Sequence, residues 1–225
     1  MGGTIISFGA PRSGTTFMEV MWKSSKLINL VDPLYKNYKI CTEIDFEKLI
    51  HNYSKLSNKE YHALKIGEGL RFHPINSQIF FMKFIEIFPN PLYLIRTYRN
   101  AIEMYKSLFF IGDTIRIGQR FKTWDINSVA AMLLSEYGSY LAIRDDYNIV
   151  SLDFDKFNNS EYVKNKLESI GLEKKIVSYC LSFIKKNYGK KPVRPGRLSE
   201  NMDIKLEEPM IEFLLKIDKI RNIFE

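Results

Sequence analysis

The sequence is short of several things, and each shortage excludes a class of protein. Among its 225 residues, Cys41 and Cys180 are the only cysteines. Two thiols build no disulfide framework, and no Cys/His spacing fits a zinc site, so no metal is expected. No uncharged apolar run approaches the ~18–20 residues that a spanning helix needs. The opening MGGTIISFGAPRSG has neither a basic n-region nor a long apolar core, so it does not read as a secretory signal. Met1-Gly2 begins like a myristoylation signal, but Ile6 stands where Ser or Thr is required. Internal repeats and low-complexity tracts are also missing. The expectation is a cytoplasmic protein without a membrane span.

What is present is ordinary for a globular chain: 45% hydrophobic and 26% charged residues. A chain of this length buries roughly 70–75% of the surface its unfolded form exposes, so it needs no staples. One domain over residues 1–225 is expected. Lys plus Arg outnumber Asp plus Glu by 33 to 26, a net charge of +7. Such a surplus attracts anions without distinguishing among them. Most of the charge is interleaved in sign, as on solvated helix faces. One basic cluster stands out, from Lys185-Lys186 through Lys190-Lys191 to Arg194 and Arg197.

Periodicity predicts three buried strands, Thr4 to Phe8, Leu92 to Ile95 and Asn148 to Leu152. Helices are predicted over Thr15 to about Ser25, Asp45 to Leu56, Ile75 to Phe88 and Asn100 to Phe110. Further helices run from Ser128 to about Asp145, Ser160 to Ile170, Glu173 to Asn187 and Glu207 to Ile223. Strands separated by helices predict an α/β fold. The arrangement is a three-layer sandwich, with a central, mainly parallel sheet flanked by helices.

The segment richest in chemistry is Ser7-Phe8-Gly9-Ala10-Pro11-Arg12-Ser13-Gly14-Thr15-Thr16-Phe17. A strand, a glycine-bounded turn and a helix start follow in order. Backbone N–H groups converge at such a turn, and the helix N-terminus adds partial positive charge, which makes a phosphate cradle. Against the nucleotide loop G-x-x-x-x-G-K-[ST], Gly9, Gly14 and Thr16 fit. Thr15 replaces the lysine, and the cation has moved to Arg12. Phosphoryl transfer from ATP relies on that lysine and on magnesium, so its loss argues against a kinase.

Pro11-Arg12-Ser13-Gly14-Thr15-Thr16 resembles the 5′-phosphosulfate loop of sulfotransferases that use 3′-phosphoadenosine-5′-phosphosulfate (PAPS), written P-[RK]-S-G-T-T. That family, which has a P-loop-like fold, binds the 3′-phosphate with an arginine just after a strand and a serine eight residues on. Arg99 and Ser107 have this spacing, and Arg99-Asn100-Ala101 matches a wording common in the family. Arginine offers charge-assisted, bidentate hydrogen bonds to phosphate. Arg96 either approaches the nucleotide or pairs with a carboxylate.

Further segments carry the resemblance along residues 4–200. Ile149 to Phe157 and the helix to Leu172 resemble the family's strand-then-"YEDL" segment and its "FLGL" helix. Arg194 and Gly196 match a late R-x-G loop that closes over the 3′-phosphate. Phe17 follows the threonines where many members place Trp, either to stack on adenine or to fill the helix core.

The resemblance implies in-line sulfuryl transfer from PAPS to an acceptor oxygen or nitrogen, without a metal. Arg12, the turn amides, Thr15 and Thr16 would stabilise the leaving phosphate. The acceptor needs a general base. Asp32 is ranked first, at the place where some members carry Glu; His73 is second and Glu68 third. Lys65 is a candidate helper in donor or acceptor binding, and His51 and His62 read as solvent-face residues. The expected partner is a small-molecule or carbohydrate acceptor rather than nucleic acid. Its lining would come from Val31 to Thr42, Gly67 to Pro74 and Ile111 to Lys122. Two other readings stay open: a nucleotide kinase-like P-loop enzyme, and a non-catalytic nucleotide-binding module.

Overall fold

The computed structural model describes residues 2–10, 12–31, 51, 60–66, 88, 91–113, 126–189 and 205–223; of residues 66, 108–113 and 128 it describes only the backbone. The described elements run β1 (Gly3–Phe8), α1 (Thr15–Lys23), β2 (Ile28–Val31), β3 (Tyr61–Ile66), β4 (Leu92–Tyr98) and α2 (Ala101–Asp113). Then come α3 (Ile126–Ile143), β5 (Ile149–Asp153), a 3-10 turn (Phe154–Lys156), α4 (Ser160–Ser169), α5 (Lys174–Asn187) and α6 (Glu208–Asn222).

The five strands form one sheet in the order β2-β3-β1-β4-β5. Every pairing in it is parallel. β1 lies at the centre, and all six of its residues are buried. A strand covered on both faces needs apolar or hydrogen-bonded side chains on both, which Thr4-Ile5-Ile6-Ser7-Phe8 supplies. Its odd-numbered face looks toward α1. Ile5 there joins Phe17, Met18, Met21, Trp22, Tyr61, Ala63, Ile95 and residues of α4 and α5 in one core. The Trp22 indole N–H, 3.1 Å from Ser7 Oγ, satisfies the polar atom this face carries. On the opposite face, α3 packs beneath β4. There Arg96 and Glu136 are buried as an ion pair, with Nε 2.9 Å from Oε1 and Nη2 3.1 Å from Oε2. A second apolar cluster joins α2, α3 and α6.

The three predicted strands are all present, and the expected helices at Thr15, Asn100, Ser128, Ser160, Glu173 and Glu207 stand within a few residues of their places. The helices expected over 45–56 and 75–88 lie almost wholly outside the described residues. Two strands were not anticipated. β2 has four residues, and β3 alternates weakly, with His62 and Lys65 among its members. What makes them strands is pairing: Gly3 to Phe8 run in register with Tyr61 to Ile66, and Ile28 to Val31 with Tyr61 to Leu64. Sheet propensity follows such context more than composition. His62 is accordingly half-buried rather than on a solvent face, and burial holds its pKa below the ordinary histidine value.

Candidate functional site

The chain passes from β1 to one side of the sheet for β2 and β3, then to the other for β4 and β5. The carboxyl ends of β1 and β4 therefore flank a topological switch point, where open α/β sheets leave a crevice for ligands. The two segments singled out from the sequence both begin there.

The loop after β1 is tightly specified. Thr97 of β4 passes so close to Gly9 that a Cβ there would lie 2.2 Å from the Thr97 carbonyl oxygen. Ser13 closes the turn: its backbone N–H and its hydroxyl both donate to the Ala10 carbonyl, at 3.2 and 2.7 Å. Its Oγ also lies 3.2 Å from Thr97 Oγ1. The Ser13 hydroxyl is thus turned inward. Gly14 precedes α1 in a left-handed conformation, φ 103°, and a Cβ on it would sit 2.3 Å from the Phe154 ring. No side chain caps α1 and its first turn has no acidic residue, so its positive end stays available to an anion. Thr15 is buried and Thr16 half-buried at this end.

Arg12 is the only non-glycine residue with positive φ among the described residues, at 70°. Its Nε donates to Ser107 Oγ on α2 at 2.7 Å. The loop after β1 and the helix after β4 are therefore joined through one side chain each. The Ser107 hydroxyl, expected to share a ligand with Arg99, accepts from Arg12 and still carries a proton it can donate.

Arg99 sits just past β4. Its Nε donates to Asp155 Oδ1 at 2.7 Å, its Nη2 lies 3.6 Å from Glu103, and its Cζ is 5.6 Å from the centre of the Phe154 ring. The start of α2 is saturated by side chains. Asp155 accepts from the Asn100 N–H, Asp218 from the Ala101 N–H, and Asn100 Oδ1 from the Ile102 N–H. Arg221 of α6 donates to the Arg99 carbonyl and to Asp218. Burial raises the pKa of Asp218 above the ordinary carboxylate range, partly offset by the Ala101 amide. Asp153, at the end of β5, is raised for the same reason.

The remaining expected residues divide. Arg96 points into the layer between β4 and α3 and pairs there with Glu136. Phe17 packs edge-on against Phe154, Phe157, Phe183 and Tyr188, a core position. Lys65, at the carboxyl end of β3, lies 2.7 Å from Glu19 of α1. Pro11, Asp32, Glu68, His73, Arg194 and Gly196 lie outside the described residues. Asp155, Glu103, Glu19 and Asp218 were not anticipated; Asp155 stands 56 positions from Arg99 in sequence, and no local spacing links them. Among the described residues, no group of three or more His, Cys, Asp or Glu could hold a metal ion. No described helix is long and apolar enough to cross a membrane.

No family model matches the sequence, and no curated protein matches it. The fold has a solved counterpart. Mouse sulfotransferase SULT7A1 complexed with PAP superposes over 97% of this chain and 83% of that one, with a TM-score of 0.57 at 11% identity. At that identity the likeness is one of fold.

Proposed function

We propose that the protein is a sulfotransferase that moves the sulfuryl group of PAPS to a hydroxyl or amine of a small-molecule or carbohydrate acceptor. The observation that carries this reading is the Arg12–Ser107 hydrogen bond across the switch point. It places a cation inside a glycine-bounded turn, beside an uncapped helix start, where a loop lysine is missing.

In the proposed reaction the acceptor oxygen or nitrogen attacks sulfur as the bond from sulfur to the bridging phosphate oxygen breaks. Negative charge grows on that bridging oxygen. Arg12, the amides at the start of α1 and the Thr15 and Thr16 hydroxyls are the groups assigned to stabilise it. The acceptor proton goes to a general base, for which Asp32 is the first assignment, then His73, then Glu68. Arg99 is assigned to the 3′-phosphate, with Arg194 and Gly196 closing over it. The fold shared with a sulfotransferase supports the assignment of reaction class.

Incubation with sulfur-labelled PAPS and a panel of phenols, sugars and amines tests the reading. Transfer to one of them is expected, and Arg12→Ala should abolish it. Stabilisation by ATP-magnesium but not by 3′-phosphoadenosine 5′-phosphate would instead favour a kinase. Binding of the bisphosphate without transfer to any acceptor would favour a docking module. Near-normal turnover in Asp32→Asn, with loss in His73→Ala, would reassign the base.

A further inference from the structure

The turn that follows β5 touches both halves of the site. Phe154 fills the space beside Gly14, so closely that a Cβ on that glycine would overlap its ring, and it packs against Phe17 at a centroid distance of 5.7 Å. The same ring lies beside the Arg99 guanidinium, 5.6 Å from Cζ. The next residue, Asp155, takes the Arg99 Nε–H with one carboxylate oxygen and the Asn100 backbone N–H with the other, at 2.7 and 3.2 Å. The turn is itself braced, because the Asp155 backbone N–H donates to Asp153 Oδ1 at 3.0 Å. One rigid three-residue segment thus spaces the phosphate loop from Arg99.

Among the described residues, these contacts use only part of the arginine fork. Asp155 engages Nε, Glu103 lies at a longer 3.6 Å from Nη2, and neither pair runs through Nη1. A guanidinium held along its Nε side keeps its terminal nitrogens directed at a fixed point, the arrangement suited to bidentate capture of a phosphate. Left to itself, a long arginine side chain at this exposure would sample several rotamers and lose entropy on binding. A support locked by its own hydrogen bonds removes that cost in advance.

We propose that Phe154 and Asp155 are positioning residues for a nucleotide 3′-phosphate: the turn aims Arg99 and thereby sets discrimination between adenosine nucleotides with and without that phosphate. This rests on the donor-site reading above and adds to it the residues that act through Arg99.

Calorimetric titration of the full chain with 3′-phosphoadenosine 5′-phosphate and with adenosine 5′-phosphate separates the two ideas. Asp155→Ala should weaken binding of the bisphosphate by about tenfold and leave the monophosphate within twofold. Asp155→Asn, whose single amide oxygen can still accept from the Arg99 Nε–H but not from the Asn100 N–H as well, should recover part of the loss. In an Arg99→Ala background, Asp155→Ala should add nothing. If Asp155→Ala does not fold, Asp155→Ser replaces it, since its hydroxyl is too short to reach Nε. Unchanged or tighter bisphosphate binding in the alanine variant overturns the inference, the tighter result marking Asp155 as a competing anion. An equal loss for both nucleotides overturns it too, as a purely structural effect. A wild-type chain that does not prefer the bisphosphate removes the donor-site reading itself, and this inference with it.

Discussion

Arg12 adopts a backbone conformation that L-residues other than Asn and Asp seldom visit, at a cost on the order of 1–2 kcal/mol. The paired hydrogen bonds of Ser13 to Ala10 and the reach of Arg12 to Ser107 hold it there. Asp153 illustrates a different cost. Its carboxylate is pushed up in pKa by burial, against the pull of the Asp155 amide. A raised folded-state value means that the native chain holds its proton more tightly than the unfolded chain. That contribution is favourable below the unfolded carboxylate value, about 3.9, and is lost as pH rises through the folded one. Asp153→Asn keeps an acceptor for Asp155 and removes the desolvated charge. Its melting temperature should exceed that of the parent at pH 7, with the difference vanishing as pH falls below about 4. A gap that persisted at low pH would mean that desolvation is not its cause.

At the scale of elements, the sheet and its helices are held by more than apolar contact. Arg96 is fully buried between β4 and α3, with Glu136 on one side and the Tyr140 ring 4.3 Å from Cζ on another. Breaking such a pair strands a charge in a low-dielectric layer, whereas replacing both partners often costs little. Arg96→Met should destabilise the fold by about 3–5 kcal/mol in urea titration. The double variant Arg96→Met/Glu136→Leu should regain most of that. The sequence left Arg96 undecided between nucleotide and carboxylate because both options share one strand end; the side of the sheet it faces decides between them. β2 and β3 became strands for a reason equally invisible in one dimension. Their partners are β1 and each other; β2 is only four residues long, and β3 carries a single β-branched residue, Ile66.

At the scale of the molecule, strand order converts two distant segments into neighbours. Residues 9–17 and 96–107 meet because β1 and β4 are adjacent and parallel, so both loops leave the same edge. A net charge of +7 would speed the approach of the proposed anionic nucleotide, and that contribution should weaken as salt is raised. A ligand that binds only the folded chain stabilises it by mass action. At a hundredfold excess over Kd, 3′-phosphoadenosine 5′-phosphate should add about 2.7 kcal/mol. For a chain of this size that is a rise of roughly 5–10 °C in Tm by scanning fluorimetry. Adenosine 5′-phosphate at the same concentration should raise it less. Equal shifts for the two nucleotides would argue against a 3′-phosphate subsite.

Local sequence alone determined the glycine-bounded turn, the strand before it and the helix after it. Glycines at 9 and 14, the cation at 12 and the hydroxyls at 15 and 16 lie within one turn and its helix start, so their proximity survives in linear order. Most other helices were legible for a like reason, since an apolar stripe repeats within the element that carries it. The tertiary structure alone decided which side chains meet across elements: Arg12 with Ser107, Arg99 with Asp155, Arg96 with Glu136. Those pairs are separated by 95, 56 and 40 positions. Charge and hydrogen-bonding capacity are properties of a residue, but a partner is a property of the packing, and packing is set by strand order.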